Sequence, residues 1–154
     1  MSGYLLDTDV LSLLSLLSLL SPGRMNVPQG FEAWVEAQDR AGQIYLSAVS
    51  IHEIEKGIRL LEAKGSLQKA RALEVWLRPL VTRLGNFILP VDAEVARVSG
   101  ALEAKAIAEG ANPGASDAMI AGTAAFHGLT VVTRNLRHFR TFGIGVMGVE
   151  EIVR

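Results

Sequence analysis

The sequence predicts an α/β domain of three layers, a short parallel sheet covered by helices on both faces. Three observations predict it. Short apolar runs such as "GYLL", "IYL", "FIL" and "LTVVT" alternate with longer helical stretches along the chain, the pattern of strand–helix units around a parallel sheet. Hydrophobic residues make up 49% and charged residues 20% of the 154 residues, which favours one sizeable core over disorder. No long polar linker divides the chain, so residues 1–154 read as a single domain.

The elements follow in order. Gly3 to Leu6 reads as a short buried strand, and Val10 to Leu20 as a helix with Pro22-Gly23 as its stop. That helix contains "LSLLSLLSLLS", in which Leu-Ser-Leu repeats three times from Leu11. A period of three drifts around a helix of 3.6 residues per turn, so its serines spread over several faces. Gln29 to Arg40 is a helix with Phe31, Trp34 and Val35 on one stripe. Ile44 to Leu46 is a strand, followed by helices over Ser50 to Ala63 and Leu67 to Thr82, with Gly65 between them. Phe87 to Leu89 is a strand ended by Pro90, and Ala93 to Glu109 a helix. The loop "EGANPGAS" leads to a helix over Asp117 to His127, then a strand over Leu129 to Thr133. Val146 to Val149 fits a last strand.

The net charge of −1 gives no global basic footprint for non-specific nucleic-acid binding, which leaves local patches. The chain has no cysteine. That excludes a disulfide scaffold, thiolate metal sites and cysteine nucleophiles, and it fits a cytoplasmic location. The leucine-rich start lacks a basic leader, is interrupted by Asp7 and Asp9, and is too short to span a bilayer, so no membrane role is expected.

Asp7 and Asp9 raise the central question, because they stand where a core strand ends. In a parallel sheet, ligands gather at the carboxyl ends of the strands. One reading makes either residue a cap of the next helix, whose dipole favours a carboxylate. Glu53 follows the second strand, and Ser50 to Glu53 also fits a capping box. Asp117 falls in the first turn of a helix of small and apolar residues that Ser116 can cap. A carboxylate at the mouth of a buried helix is costly unless something pairs with it. In this topology the three acids converge on one sheet edge, with no lysine or arginine beside Asp7 or Asp117 in sequence. A hard divalent cation, Mg²⁺ or Mn²⁺, removes that cost, which makes Asp7, Asp117 and Glu53 candidate ligands. The fourth strand ends "VVTRNLRHFR", placing Thr133 and Asn135 at the same edge. Arg134, Arg137, His138 and Arg140 are the densest basic cluster. They read either as a solvated helix start or, beside an acidic site, as holders of phosphates.

At this point the chain resembles a known family, the PIN-domain ribonucleases, and within it the VapC-like toxins of bacterial toxin–antitoxin pairs. The resemblance rests on "YLLDTDVLS", "SAVSIHEIEKGI" and "ASDAMIAGTAAFHGLTVVTRNLRHF", in that order. It implies a PIN-like fold and an endoribonuclease that uses Mg²⁺ or Mn²⁺. It implies Asp7, Glu53 and Asp117 as catalytic and metal-binding acids. It implies Asn135 as a further catalytic residue, standing where many relatives have a fourth acid, so a second metal would be held less tightly. Thr133, Arg134, Arg137 and Arg140 would bind substrate. It further implies a small VapB-like antitoxin, seated in an apolar groove for which the leucines, Phe31 and Trp34 are candidates, and a homodimer. There are departures. Asp9 replaces the usual asparagine, His138 stands where an aspartate is frequent, the Leu-Ser repeat is extra, and Gly23 to Ile44 carries little of the signal.

Two rival readings come from other classes. "LLDTDV" also fits the opening of haloacid-dehalogenase-like phosphatases, with Asp7 as nucleophile and "IYLS" as a second motif, but the later strand ends "TRN" without the acid pair that chemistry needs. The other is a non-enzymatic α/β binding module whose carboxylates only cap helices.

Overall fold

The structure, a computed structural model, describes residues 2–19 and 28–152. The first strand β1 spans Tyr4–Leu6 and runs into helix α1, Thr8–Leu19. Helix α2 covers Phe31–Arg40, strand β2 Ile44–Ser47, and helices α3 and α4 Ala48–Ala63 and Leu67–Leu84. A 3-10 turn over Gly85–Phe87 leads to β3, Ile88–Leu89. Helices α5 (Ala93–Ala108) and α6 (Ala115–His127) precede β4, Thr130–Thr133. The described chain closes with α7 (Leu136–Arg140), β5 (Val146–Gly148) and α8 (Val149–Ile152).

The described strands form one sheet in the order β3-β2-β1-β4-β5, and every neighbouring pair is parallel. The chain therefore lays its strands outward from β1 on one side, then returns and continues on the other. Strand order reverses between β1 and β4, where Leu6 is opposite Val132. In an open parallel sheet such a reversal opens a crevice at the carboxyl ends of the two strands.

Alternation along the central strands builds two cores. Leu6 and Val132 point into one, with α1 to α4 and Val149 of α8 over them. Leu5 and Val131 point into the other, with α5, α6 and α7. A sheet covered on both faces needs apolar residues at consecutive positions, which is what "YLL" and "TVVT" supply. Helices α5 and α6 pack unusually close. A Cβ on Gly122 would lie 1.9 Å from Ser99 Oγ, so only glycine fits there. This contact anchors the helix that carries Asp117.

Several boundaries depart from the sequence expectation for identifiable reasons. Helix α1 starts at Thr8, so Asp9 lies inside its first turn. The expected stop at Pro22-Gly23 and the helix end at Leu20 lie outside the described residues. Helix α3 starts at Ala48 because Ser47, at the end of β2, supplies the cap; its hydroxyl accepts from the Val49 amide (3.0 Å). Ser50 is thus buried inside the helix, and the Ser50–Glu53 capping box is not formed. Helix α6 starts two residues early with Gly114 as its cap residue (φ 84°), a conformation suited to glycine, and Ser116 does not cap. Helices α7 and α8, of five and four residues, are too short to show a helical period. Phe31 is fully buried and Trp34 stacks on it (6.2 Å) and meets Tyr4 edge-on (4.8 Å), so Phe31 is not available to line a groove. No helix among the described residues is long and apolar enough to cross a membrane.

Candidate active site

Asp7 is the residue at which β1 becomes α1. Its amide still donates to Val132 O of the sheet (2.9 Å), while its carbonyl already accepts from the helical amides of Val10 and Leu11, both at 3.1 Å. The backbone is fixed from both sides, and the side chain is directed into the crevice between β1 and β4. Oδ1 accepts from the Thr8 amide (2.8 Å) and Oδ2 from the Thr133 hydroxyl (2.9 Å). The Thr133 hydroxyl oxygen in turn accepts from the Asn135 amide (2.9 Å). Asp7 is only 5% exposed.

That setting raises the Asp7 carboxyl from 3.8 to about 8. Burial is the largest cause, followed by the charge of Asp9; the Thr133 hydrogen bond opposes the rise, and the close side-chain approach of Asp9 and the charge of Asp117 add to it. Capping alone does not produce such a site, because a capping carboxylate is placed where its charge is favoured. Asp9 deepens the imbalance: its Oδ1 is buried with no hydrogen-bond partner.

Glu53 arrives from α3. Its Oε1 accepts from the Thr8 hydroxyl (2.6 Å), whose oxygen lies 2.8 Å from Ser50 Oγ. Thr8 therefore ties the second turn of α3 to the first turn of α1. Asp117 arrives from the first turn of α6, half-buried, with its Oδ2 2.7 Å from His138 Nε2. Its carboxyl is also raised, first by burial; His138 pulls it back by hydrogen bond and charge, while Glu53 and Asp9 push it further up. His138 belongs to α7 and stands edge-on to Phe139 and Phe142.

The fold thus gathers Asp7, Asp9, Glu53 and Asp117, from three helix starts, into one region where each carboxyl that shifts does so partly under its neighbours' charge. Among the described residues, no three acidic or imidazole groups already stand close enough together to hold a cation as they are. Around this region Arg134, Asn135, Arg137 and Arg140 are exposed. Arg140 pairs loosely with Glu151 (3.6 Å). Thr133 is fully buried, and its hydroxyl is engaged with Asp7 rather than open to a substrate. A cavity of about 410 Å³ is lined by Thr133, Arg134, Leu136, Gly148 and Glu150, among others. A second, mostly apolar one of about 600 Å³ runs between α1, α3 and α4 and is lined by Thr8, Glu53, Gly57 and Leu73, among others.

Two participants carried no sequence signal of their role. Thr8 sits between the two acids of "DTD", and its partner lies 45 positions away. The partner of His138 is 21 positions away, so within the basic cluster it reads as one more cation.

Comparison with known proteins identifies relatives of this chain. Residues 26–143 match the PIN domain family, a span that includes Glu53, Asp117 and Asn135. Over 143 residues the chain is 32% identical to toxin FitB of Neisseria gonorrhoeae, covering 92% of this chain and 94% of that one. Over 116 residues it is 32% identical to the VapC ribonuclease Y4jK of Sinorhizobium fredii, covering 75% and 80%. In three dimensions it is similar to FitAcB from Neisseria gonorrhoeae, with a TM-score of 0.76 and 29% identity over 96% of this chain and 98% of that one. It is also similar to a DNA-bound VapBC from Salmonella typhimurium, with a TM-score of 0.74 and 27% identity over 97% and 99%.

Proposed function

The chain belongs to the PIN domain family, and from that premise we propose that it is a metal-dependent endoribonuclease, the toxin of a toxin–antitoxin pair. One observation carries the reading most: a buried aspartate at the strand-order reversal, held by Thr133 and pushed up to about 8 by burial and by neighbouring acids. A site that collects negative charge at such cost fits a cationic ligand. The donor set is all oxygen, which suits Mg²⁺ or Mn²⁺. The orphaned Asp9 Oδ1 fits the same need. Asp7, Glu53 and Asp117 would hold the ion. When bound, it would lower the pKa of a water and offset charge building on a phosphodiester.

The chain's own residues supply the rest. Thr133 fixes the rotamer of Asp7, and Thr8 with Ser50 fixes that of Glu53. Glu53 is held through Oε1, which leaves Oε2 to orient the attacking water. The exposed Arg134 and Arg137 hold backbone phosphates, and Arg140 joins them because its bond to Glu151, between two exposed groups, exchanges readily with water. Asn135, exposed beside Thr133, offers a neutral amide where a carboxylate would attract a second cation. The whole of 1–154 acts as one domain, in the cytoplasm, as a homodimer bound to a small VapB-like antitoxin. A segment of that partner lying in the apolar cavity beside Glu53 would reach the acids. The phosphatase alternative is disfavoured, since both oxygens of Asp7 are engaged and the group is buried, a poor setting for a nucleophile.

The test is cellular and biochemical together. Expression of the chain alone is expected to slow growth, and co-expression of its small partner to restore it. The purified, partner-free chain is expected to cut total RNA with Mg²⁺ or Mn²⁺ and not with chelator. Normal growth under strong expression, together with intact RNA in every cation, would refute the reading.

A further inference from the structure

The three acids share a pattern. Each has an oxygen tied by a side-chain donor from another element: Asp7 Oδ2 by the Thr133 hydroxyl, Glu53 Oε1 by the Thr8 hydroxyl, Asp117 Oδ2 by the His138 ring. A carboxylate at a half-exposed helix start rotates in water unless something holds it, and a metal ligand must be held to a fraction of an ångström. His138 is well placed to do this. Its ring stands edge-on to Phe139 (5.6 Å) and Phe142 (6.2 Å), both buried, so its own orientation is set by packing. Its Nε2 is 2.7 Å from Asp117 Oδ2, which leaves Oδ1 for a cation.

We propose that His138 is the positioning residue of the centre: from Nε2 it donates to Asp117 Oδ2 and fixes that oxygen, so that Asp117 offers Oδ1 to a cation as the acids close around it. This rests on the metal-centre reading above. Hydrogen-bond partners of ligating groups characteristically matter in this way, and their loss costs about 10–100-fold in metal affinity. The imidazole acts through Asp117 and does not itself ligate. A neutral amide with a similarly placed N–H donor can therefore replace it, which a ligand or a mere packing residue would not allow.

The experiment is Mn²⁺ titration, followed by calorimetry, of the wild type, His138→Ala, His138→Gln and Asp7→Asn, with melting of each in chelator and electron spin echo spectra of the Mn²⁺-loaded forms. His138→Ala is expected to weaken Mn²⁺ binding about 10–100-fold, His138→Gln to recover most of it, and the wild-type spectrum to lack coupling to a directly bound nitrogen. Equal affinity in all three His138 forms, an amide variant as weak as the alanine, or a bound nitrogen in the wild type would each overturn the proposal. So would an alanine variant that melts lower in chelator yet binds Mn²⁺ normally, because that is packing alone. In those cases Asp7→Asn still loses Mn²⁺ and the metal-centre reading stands. Failure of the wild type to bind Mn²⁺ removes both.

Discussion

In chelator, the Asp7→Asn variant is expected to melt above the wild type at pH 8 and to converge with it near pH 4. The carboxyl has an ordinary value of 3.8 and about 8 in the folded protein. Between those values the native state binds more protons than the unfolded one, so stability falls as pH rises through the window. It is undiminished below 3.8 and levels off above about 8. Each pH unit is worth about 1.4 kcal/mol, so the accumulated penalty is at most on the order of 6 kcal/mol. For a domain of this size that corresponds to a difference of up to roughly 20 °C in melting temperature. Asparagine keeps its one acceptor for Thr133, gives up the bond from the Thr8 amide and carries no charge, so the variant lacks this slope. Melts of both proteins from pH 4 to pH 8 decide the matter, and parallel curves would show that Asp7 is not strained.

The same substitution is expected to be ruinous for activity. Asp7→Asn and Asp117→Asn should each lower RNA cleavage by about 10³-fold or more, the scale on which loss of one member of a cooperating catalytic set is felt. Neither should unfold the chain, since Asp7→Asn gains stability without metal and Asp117 is half-buried at a helix end. A more stable protein that has lost its activity is the signature of a site that trades stability for function. Quantified cleavage of a single RNA, alongside melts of the same samples, checks this. A variant that keeps its cleavage rate removes its residue from the site.

The contrast between sequence and structure follows from distance along the chain. The sheet, its helices and the candidate acids were legible because each signal is local: an apolar run, a turn, then an acid near a helix start. That a sheet of this topology brings Asp7 and Asp117 to one edge follows from the strand–helix pattern alone. The partners of those acids were not legible. Thr133 is 126 positions from Asp7, and nothing in the composition of "VVTRN" separates a buried hydroxyl serving a carboxylate from one facing solvent. The cap at Ser47 is hidden in the sequence because Ser50 offers an equally good one three residues on; burial of Ser50 inside α3 decides between them. His138 reads like its neighbouring arginines because only the fold brings its ring to Asp117. Phe31 looks in sequence like part of an apolar groove, yet its helix stripe faces the core.

The property that defines this site is whether its acids bind a cation together. Titration of Mn²⁺ into the purified chain at pH 7, in two buffers of different ionisation enthalpy, tests it most directly. Because Asp7 sits at about 8 without metal, binding must displace a proton, so the measured heat should differ between buffers by close to one proton per ion. Asp7→Asn should bind far more weakly and release almost none. Tight Mn²⁺ binding that is unchanged in Asp7→Asn and independent of buffer, or no binding by the wild type at all, would contradict the assignment of this cluster as the metal centre.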